Sequence, residues 1–199
     1  GKLFSEKVLE DREAELDAIF RSAPYMMVLV DGERRIQRIN SAGAGFAEHT
    51  PEELRGLHPG EALRCIHALD DPRGCGFGEA CQDCIVRNTV LDTLTTQEGY
   101  EDVEVDMAFR HDDGKQDDRT FLFHTTPLRI SGEQMVLVVF DDITEFKQTE
   151  KRRRELQQFW QSTMDALTSH IAVIDHAANV IAVNAAWRRF ADENGLQWE

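Results

Sequence analysis

No run of eighteen apolar residues occurs in this chain, so no segment reads as a membrane-spanning helix. Positive charge is scarce: 22 Lys and Arg stand against 37 Asp and Glu, a formal charge of −15. A surface of that sign repels nucleic-acid phosphates and is equally disfavoured on anionic lipid. The one basic run, Lys151-Arg152-Arg153-Arg154, is short, lies in a helical pattern and reads as a solvated helix face. No secretory leader is visible. The charged start Gly1-Lys2-Leu3-Phe4-Ser5-Glu6-Lys7 reads as an internal boundary, which predicts a cytoplasmic piece of a longer protein. There is no Ser/His/Asp arrangement and no glycine-rich phosphate loop, and the chain is predicted not to be an enzyme.

Cysteine is absent from residues 1–64 and 85–199, and all four cysteines fall in one short segment. Cys65, Cys75, Cys81 and Cys84 are spaced C-x9-C-x5-C-x2-C. Thiolates are soft ligands, and four of them close in sequence can meet around one ion or cluster. Gly74 and Gly76 flank Cys75 and let the backbone turn sharply there. In a cytoplasmic chain, clustered cysteines point to metal binding or redox sensing rather than to stable disulfides. The C-x2-C pair Cys81/Cys84 is the usual metal knuckle, and Cys65 and Cys75 are placed to supply the other two ligands. Three readings stay open: an iron–sulfur cluster, a zinc ion, or thiols without metal that sit in the core or oxidise in pairs. His67, two residues after Cys65, is a weaker ligand candidate.

With 41% hydrophobic residues, the chain can bury a core and form one domain of ordinary size with flanking pieces. Leu3, Val8, Leu9, Leu16, Ile19 and Phe20 outline an amphipathic helix that must pack on the domain or on a partner helix. Tyr25–Val30 and Arg34–Asn40 around Asp31-Gly32 predict a β-hairpin. Short helices follow from Ser41 and from Thr50-Pro51-Glu52-Glu53, the latter ending by Pro59-Gly60, and Val86–Leu94 suits a longer one. Tyr100–Arg110, Thr120–Ile130 and Gln134–Phe140 predict three further strands, with residues 111–118 as an extended turn. The order implies an α+β fold: a five-stranded antiparallel sheet with short helices on one face, the cysteines in the helical layer. Phe146, Thr149, Arg153, Leu156, Trp160, Thr163 and Leu167 form an imperfect heptad stripe, which predicts a homodimer through the flanking helices.

From residue 170 the chain repeats itself. Ile171-Ala172-Val173-Ile174-Asp175 and Val180-Ile181-Ala182-Val183-Asn184 echo Met27–Asp31 and Ile36–Asn40, and the step from Asp to Asn is the same. The predicted organisation is an N-terminal dimerisation helix at 1–20, a sensor domain at 21–144, a linker helix at 145–167, and the truncated start of a second domain at 168–199.

The strand–Asp–turn–strand–Asn opening, the short central helices, the three closing strands and Asp142-Ile143-Thr144 running into a charged helix together resemble a PAS sensor domain. The likeness covers about residues 16 to 145, and again from 163 onward. It implies a five-stranded sheet flanked by long signalling helices. It also implies a parent signal-transduction protein with an output domain such as a histidine kinase, diguanylate cyclase or chemoreceptor. Some PAS sensors hold haem, flavin or an iron–sulfur cluster. Those with four cysteines on a [4Fe–4S] cluster carry two close pairs, whereas here only Cys81 and Cys84 are close. The leading expectation is a redox- or gas-responsive PAS module using Cys65, Cys75, Cys81 and Cys84. The alternative is a metal-free PAS module that binds a small metabolite or serves only dimerisation. Further candidates are His124 with Arg110 and Tyr100 as an anion site, the acidic loop Asp112-Asp113 with Asp117-Asp118, which reads as a solvated turn, and Cys81 as a nucleophile, which lacks an identifiable base.

Overall fold

A computed structural model describes residues 2–111 and 113–195, without the side chains of 2–6 and 9. Leu3 and Leu9 of the helix stripe and Asp112 of the acidic loop therefore lie outside the described side chains. Two compact units are present, Gly1–Thr144 and Glu145–Glu199.

In the first unit, α1 (Lys2–Ser22) leads into β1 (Met26–Asp31) and β2 (Ile36–Ile39). Four helices follow: α2 (Ser41–Ala47), α3 (Pro51–Leu54), α4 (Pro59–Ala62) and α5 (Ile85–Thr96), with 3-10 turns at Ile66–Leu69 and Glu79–Cys81 between the last two. β3 (Tyr100–Arg110), β4 (Gln116–Ile130) and β5 (Glu133–Asp142) close the sheet, and α6 (Thr144–Ala166) begins at its edge. The strands pair antiparallel in the order β2-β1-β5-β4-β3, so the expected five-stranded α+β architecture is present.

Register explains the core. Met26 pairs with Phe140, Phe140 with Phe123, and Phe123 with Val103, a row that crosses four strands on one face. Phe109, Phe121, Phe123 and Phe140 are buried, and Phe46 of α2 meets Phe109 and Phe121 edge-on with centroids 5.0 and 6.0 Å apart. Ala44, Ala47, Leu54, Ala62, Leu63 and Val90 complete the helical layer over this face. Fully burying each such aromatic or aliphatic side chain contributes about 1.5–3 kcal/mol. One buried polar pair joins the layers, Thr93 of α5 and Thr125 of β4, at 2.7 Å.

Local chemistry sets the element ends. The buried Asn40 side chain accepts from Met27 N and Gly43 N (both 3.0 Å) and donates to the carbonyls of Tyr25 (2.8 Å) and Ala23 (3.3 Å). It thereby caps α2 and ties the hairpin to the end of α1. Asp31 Oδ1 accepts from Glu33 N and Arg35 N, closing the β1–β2 turn. Thr50 and Glu53 form the anticipated capping box. At the exit, Thr144 N donates to Asp142 Oδ1 (3.0 Å), Arg119 donates to Asp142 Oδ2 (3.0 Å), and Thr120 N donates to Thr144 Oγ1 (2.9 Å).

One helix is added and one expectation changes. The helix from Thr50 ends at Leu54, before Gly56 and Pro59-Gly60 as expected, and a further short helix then follows. Pro59 starts α4, because proline is pre-organised for a first helical turn and Glu61 reaches back to His58 N (3.4 Å). Gln116, Asp117 and Asp118 are strand rather than turn, paired with Arg110, Phe109 and Ala108. Their acidity is tolerated because Asp117 sits between Arg119 (2.7 Å) and His111 (3.4 Å).

In the second unit, β6 (Ala172–Ile174) and β7 (Val180–Val183) form a hairpin followed by α7 (Ala185–Glu193). Asn184 repeats the role of Asn40: it is fully buried, accepts from Ile171 N and Trp187 N, and donates to the carbonyls of Ser169, Leu167 and Met164. Asp175 repeats Asp31, accepting from Ala177 N and Asn179 N. Arg34 and Ala178 hold the same turn position with φ of 64° and 65°. The positive φ therefore belongs to the turn and is no special strain on Arg34.

Asn40→Ala strips a cap and leaves buried backbone groups unpaired, at about 1–3 kcal/mol for each unsatisfied group. The variant is expected to lose roughly 2–4 kcal/mol in denaturant unfolding, whereas Glu52→Ala on the exposed face of α3 is expected to lose less than about 0.5 kcal/mol.

Candidate functional site

Between the sheet and the segment joining α4 to α5 lies a partly open cavity of about 70 Å³. Cys65, Cys75, Cys81 and Cys84 all line it, along with Val28, Val138 and Phe140 from the sheet. All four cysteines are free thiols; Cys81 is buried and the other three are half-buried. The fold thus brings the whole predicted set to one place, although Cys65 and Cys84 lie at opposite ends of the cysteine segment.

Each thiol is held by a different device. Cys65 precedes a 3-10 turn, and its backbone bridges to Phe109 of β3. Cys81 ends the second 3-10 turn, with its sulfur 3.8 Å from the His67 carbonyl. Cys84 is the N-cap of α5, and its sulfur accepts from Arg87 N at 3.5 Å. That helix end turns its partial positive charge toward the cavity. Cys75 depends on a residue the sequence reading missed: Glu61 Oε1 accepts from Cys75 N at 3.2 Å, while its other oxygen faces His58 N. Gly60 is equally necessary, since a Cβ there would stand 2.5 Å from Cys75 Sγ. Gly74, at φ 87°, leaves room only for the Glu61 carboxylate. An acid at fixed distance from two glycines is the signal that could have identified this clamp.

Two arginines complete the wall. Arg34 and Arg87 line the cavity, and a Cβ on Gly76 would touch both guanidinium groups, at 3.0 and 3.5 Å. They therefore lie side by side. Arg87 donates to the neutral Asn88 Oδ1, and its buried Nε has no hydrogen-bond partner. No ion pair of either arginine occurs among the described residues, and no Asp or Glu lines the cavity. Four thiols that would ligate once deprotonated, an orphaned buried N–H and unopposed positive charge are the donor set that an anionic thiolate-ligated group would need. As the side chains stand, no three His, Cys, Asp or Glu among the described residues are arranged to hold a metal ion.

The weaker candidates do not assemble. His124 alternates with the buried Phe123 and Thr125 and so lies on the opposite sheet face, where its Nδ1 accepts from Asp102 N. Tyr100 donates to Asp92 instead. Asp113 accepts from Lys115 in a hairpin turn and Asp117 is engaged by Arg119, so no cation loop forms among the described residues. His67 borders the cavity, but its Nδ1 is 3.0 Å from Asp70.

Burial pushes the Cys75 thiol up to about 11 and also raises Cys65. Both are neutral near pH 7, which disfavours a free nucleophilic thiolate at either position. Folding keeps Cys75 protonated, and that stabilisation is complete below the ordinary thiol value of 9.0 and lost as pH rises through about 11. Reduced, chelator-treated protein is therefore expected to lose melting temperature between pH 9 and 11, and Cys75→Ala is expected to flatten that loss.

A family model described as a PAS domain matches residues 14–82, ending inside the cysteine segment. A curated relative, described as an uncharacterized 104.1 kDa protein in hypE 3'region of Rhodobacter capsulatus, is 27% identical over 198 residues. That match covers 96% of this chain and 17% of the relative, so the chain spans under a fifth of the relative's length. Among solved structures, the PAS domain from Bordetella pertussis BvgS is 17% identical, with 74% of this chain and 98% of that chain covered and a TM-score of 0.48. The PAS domain of nitrogen regulation protein NR(II) from Vibrio parahaemolyticus is 15% identical, with 64% and 96% covered and a TM-score of 0.46. Residues 14–82 thus match the PAS-domain model, and the five-stranded antiparallel sheet closed by β3, β4 and β5 gives the first unit a PAS-like fold.

Proposed function

We propose that this PAS domain is a redox- or gas-responsive sensor whose signal enters through a cysteine-ligated iron–sulfur cluster. The observation that carries the reading is the convergence of the chain's only four cysteines on one small cavity. Cys65, Cys75, Cys81 and Cys84 are the four ligands in this reading. When bound, such a cluster supplies one-electron chemistry and lability toward oxidants. The protein's own part is to hold the thiols, exclude water with Val28, Val138 and Phe140, and relay a change of packing. Val138 and Phe140 belong to β5, and two residues past Phe140 the Asp142 carboxylate holds the first turn of α6. Movement of β5 at the cavity reaches the helix start through that cap and through Arg119.

The broader setting is also a proposal. The repeated Asn184 and Asp175 devices support the start of a second PAS module after residue 168, joined by a linker helix. Phe146, Leu156 and Trp160 stand exposed along α6 at 66%, 62% and 45%, which supports pairing with a second copy. A reducing cytoplasmic setting and a downstream output domain in the same protein complete the picture. Among the described residues no helix is long and apolar enough to cross a membrane.

Protein purified without oxygen is expected to be brown and to contain iron and sulfide in equal amounts, and Cys→Ser at any of the four positions is expected to abolish or sharply reduce both. A colourless, metal-free protein of undiminished stability sinks the cluster in favour of a small-metabolite or purely dimeric module, and zinc without sulfide marks a structural staple. For the pairing, Leu156→Asp with Trp160→Asp is expected to convert a dimer to a monomer in light scattering at unchanged sheet content. An unaltered mass would remove α6 as the contact.

A further inference from the structure

Arg34 comes from the β1–β2 turn and Arg87 from the first turn of α5, yet both end beside Gly76 at the rim of the cysteine cavity. Elsewhere in the chain Arg119 is opposed by Asp117 and Asp142, and Arg188 by Asp165. Arg34 and Arg87 have no carboxylate between them. Glu61, the nearest acid on the cavity's own loops, is committed to Cys75 N and His58 N. The α5 N-terminus adds partial positive charge on the same side. Three sources of positive potential thus converge on a space whose other polar lining is sulfur and the His67 ring.

We infer that Arg34 and Arg87 are the counter-charges of the thiolate centre, positioning residues that set its retention and its reduction potential without ligating it. The assignment rests on the cluster reading above. Four thiolates around a cluster leave net negative charge that an apolar cavity does not tolerate unpaired. Guanidinium groups suit this task because they stay charged and donate several N–H bonds in one plane, and the orphaned Arg87 Nε is one such donor. Gly76 fits the same account: at φ 100°, with no side chain, it lets both guanidinium groups close over the Cys75 loop. Outer-shell groups of this kind tune reduction potential through charge and hydrogen bonds to sulfur.

The assignment requires opposite effects in two forms of the protein, which a merely structural arginine does not produce. In reduced, chelator-treated protein the pair is a source of repulsion, so Arg34→Gln and Arg87→Gln are each expected to melt higher than wild type, by about 2–4 °C. In protein reconstituted anaerobically with iron and sulfide, the same variants are expected to lose iron to a chelator about tenfold more readily. Their midpoint is expected to shift to lower potential, and Arg34→Lys and Arg87→Lys are expected to recover part of both effects. Variants that melt lower in both forms, or clusters with unchanged midpoint and retention, overturn the assignment. Wild-type protein that takes up no iron or sulfide overturns the cluster reading itself. In that event the melting of the stripped variants still decides whether the arginines are an uncompensated pair.

Discussion

One face of the five-stranded sheet is a continuous apolar surface, and burying it is the constraint on which the rest of the unit depends. Met26, Phe140, Phe123 and Val103 form a row across four strands, and leaving such a row in water would forfeit several kcal/mol. The covering layer is short helices and turns with few hydrogen bonds of their own, so specific polar contacts must hold it. Asn40 pins α2 to the hairpin, Thr93 pins α5 to β4, and Glu61 pins the Cys75 loop to α4. Where the layer leaves a space, the four thiols line it together with valine, leucine and phenylalanine side chains.

The electrostatics of that space distinguish a ligand site from a packing defect. A core cysteine needs nothing beyond apolar neighbours, and four could share a cavity simply as small hydrophobes. Two adjacent arginines, an unpaired buried N–H and a helix N-terminus on one wall are not explained by packing. They are the features on which the proposed anionic occupant rests. The neighbouring β5 then links the cavity to the Asp142 cap at the start of α6, so the site and the exit helix share one strand.

Much of this was legible in the residue order. The Asp-Gly turn, the capping Thr50 and the alternation at Val103, Val105, Met107 and Phe109 are local signals with local causes, and the structure keeps them. The echo of Asp31 and Asn40 in Asp175 and Asn184 was readable for the same reason: each residue answers backbone groups within a few positions of its own turn. Readings went astray where a long-range partner decided. Gln116–Asp118 became strand because β3 offered a ladder, and His124 faced away from the cavity because Phe123 and Thr125 claimed the covered face.

Sequence alone determined the elements, their order and the cysteine set, because period, caps and turn residues act over distances of a few residues. The tertiary structure decided that Cys65 and Cys84 face one cavity, that Glu61 serves Cys75, and that Arg34 meets Arg87. Those pairings join a β-turn, two loops and a helix start. Their geometry is set by how the helical layer seats on the sheet, a packing outcome that no spacing along the chain encodes.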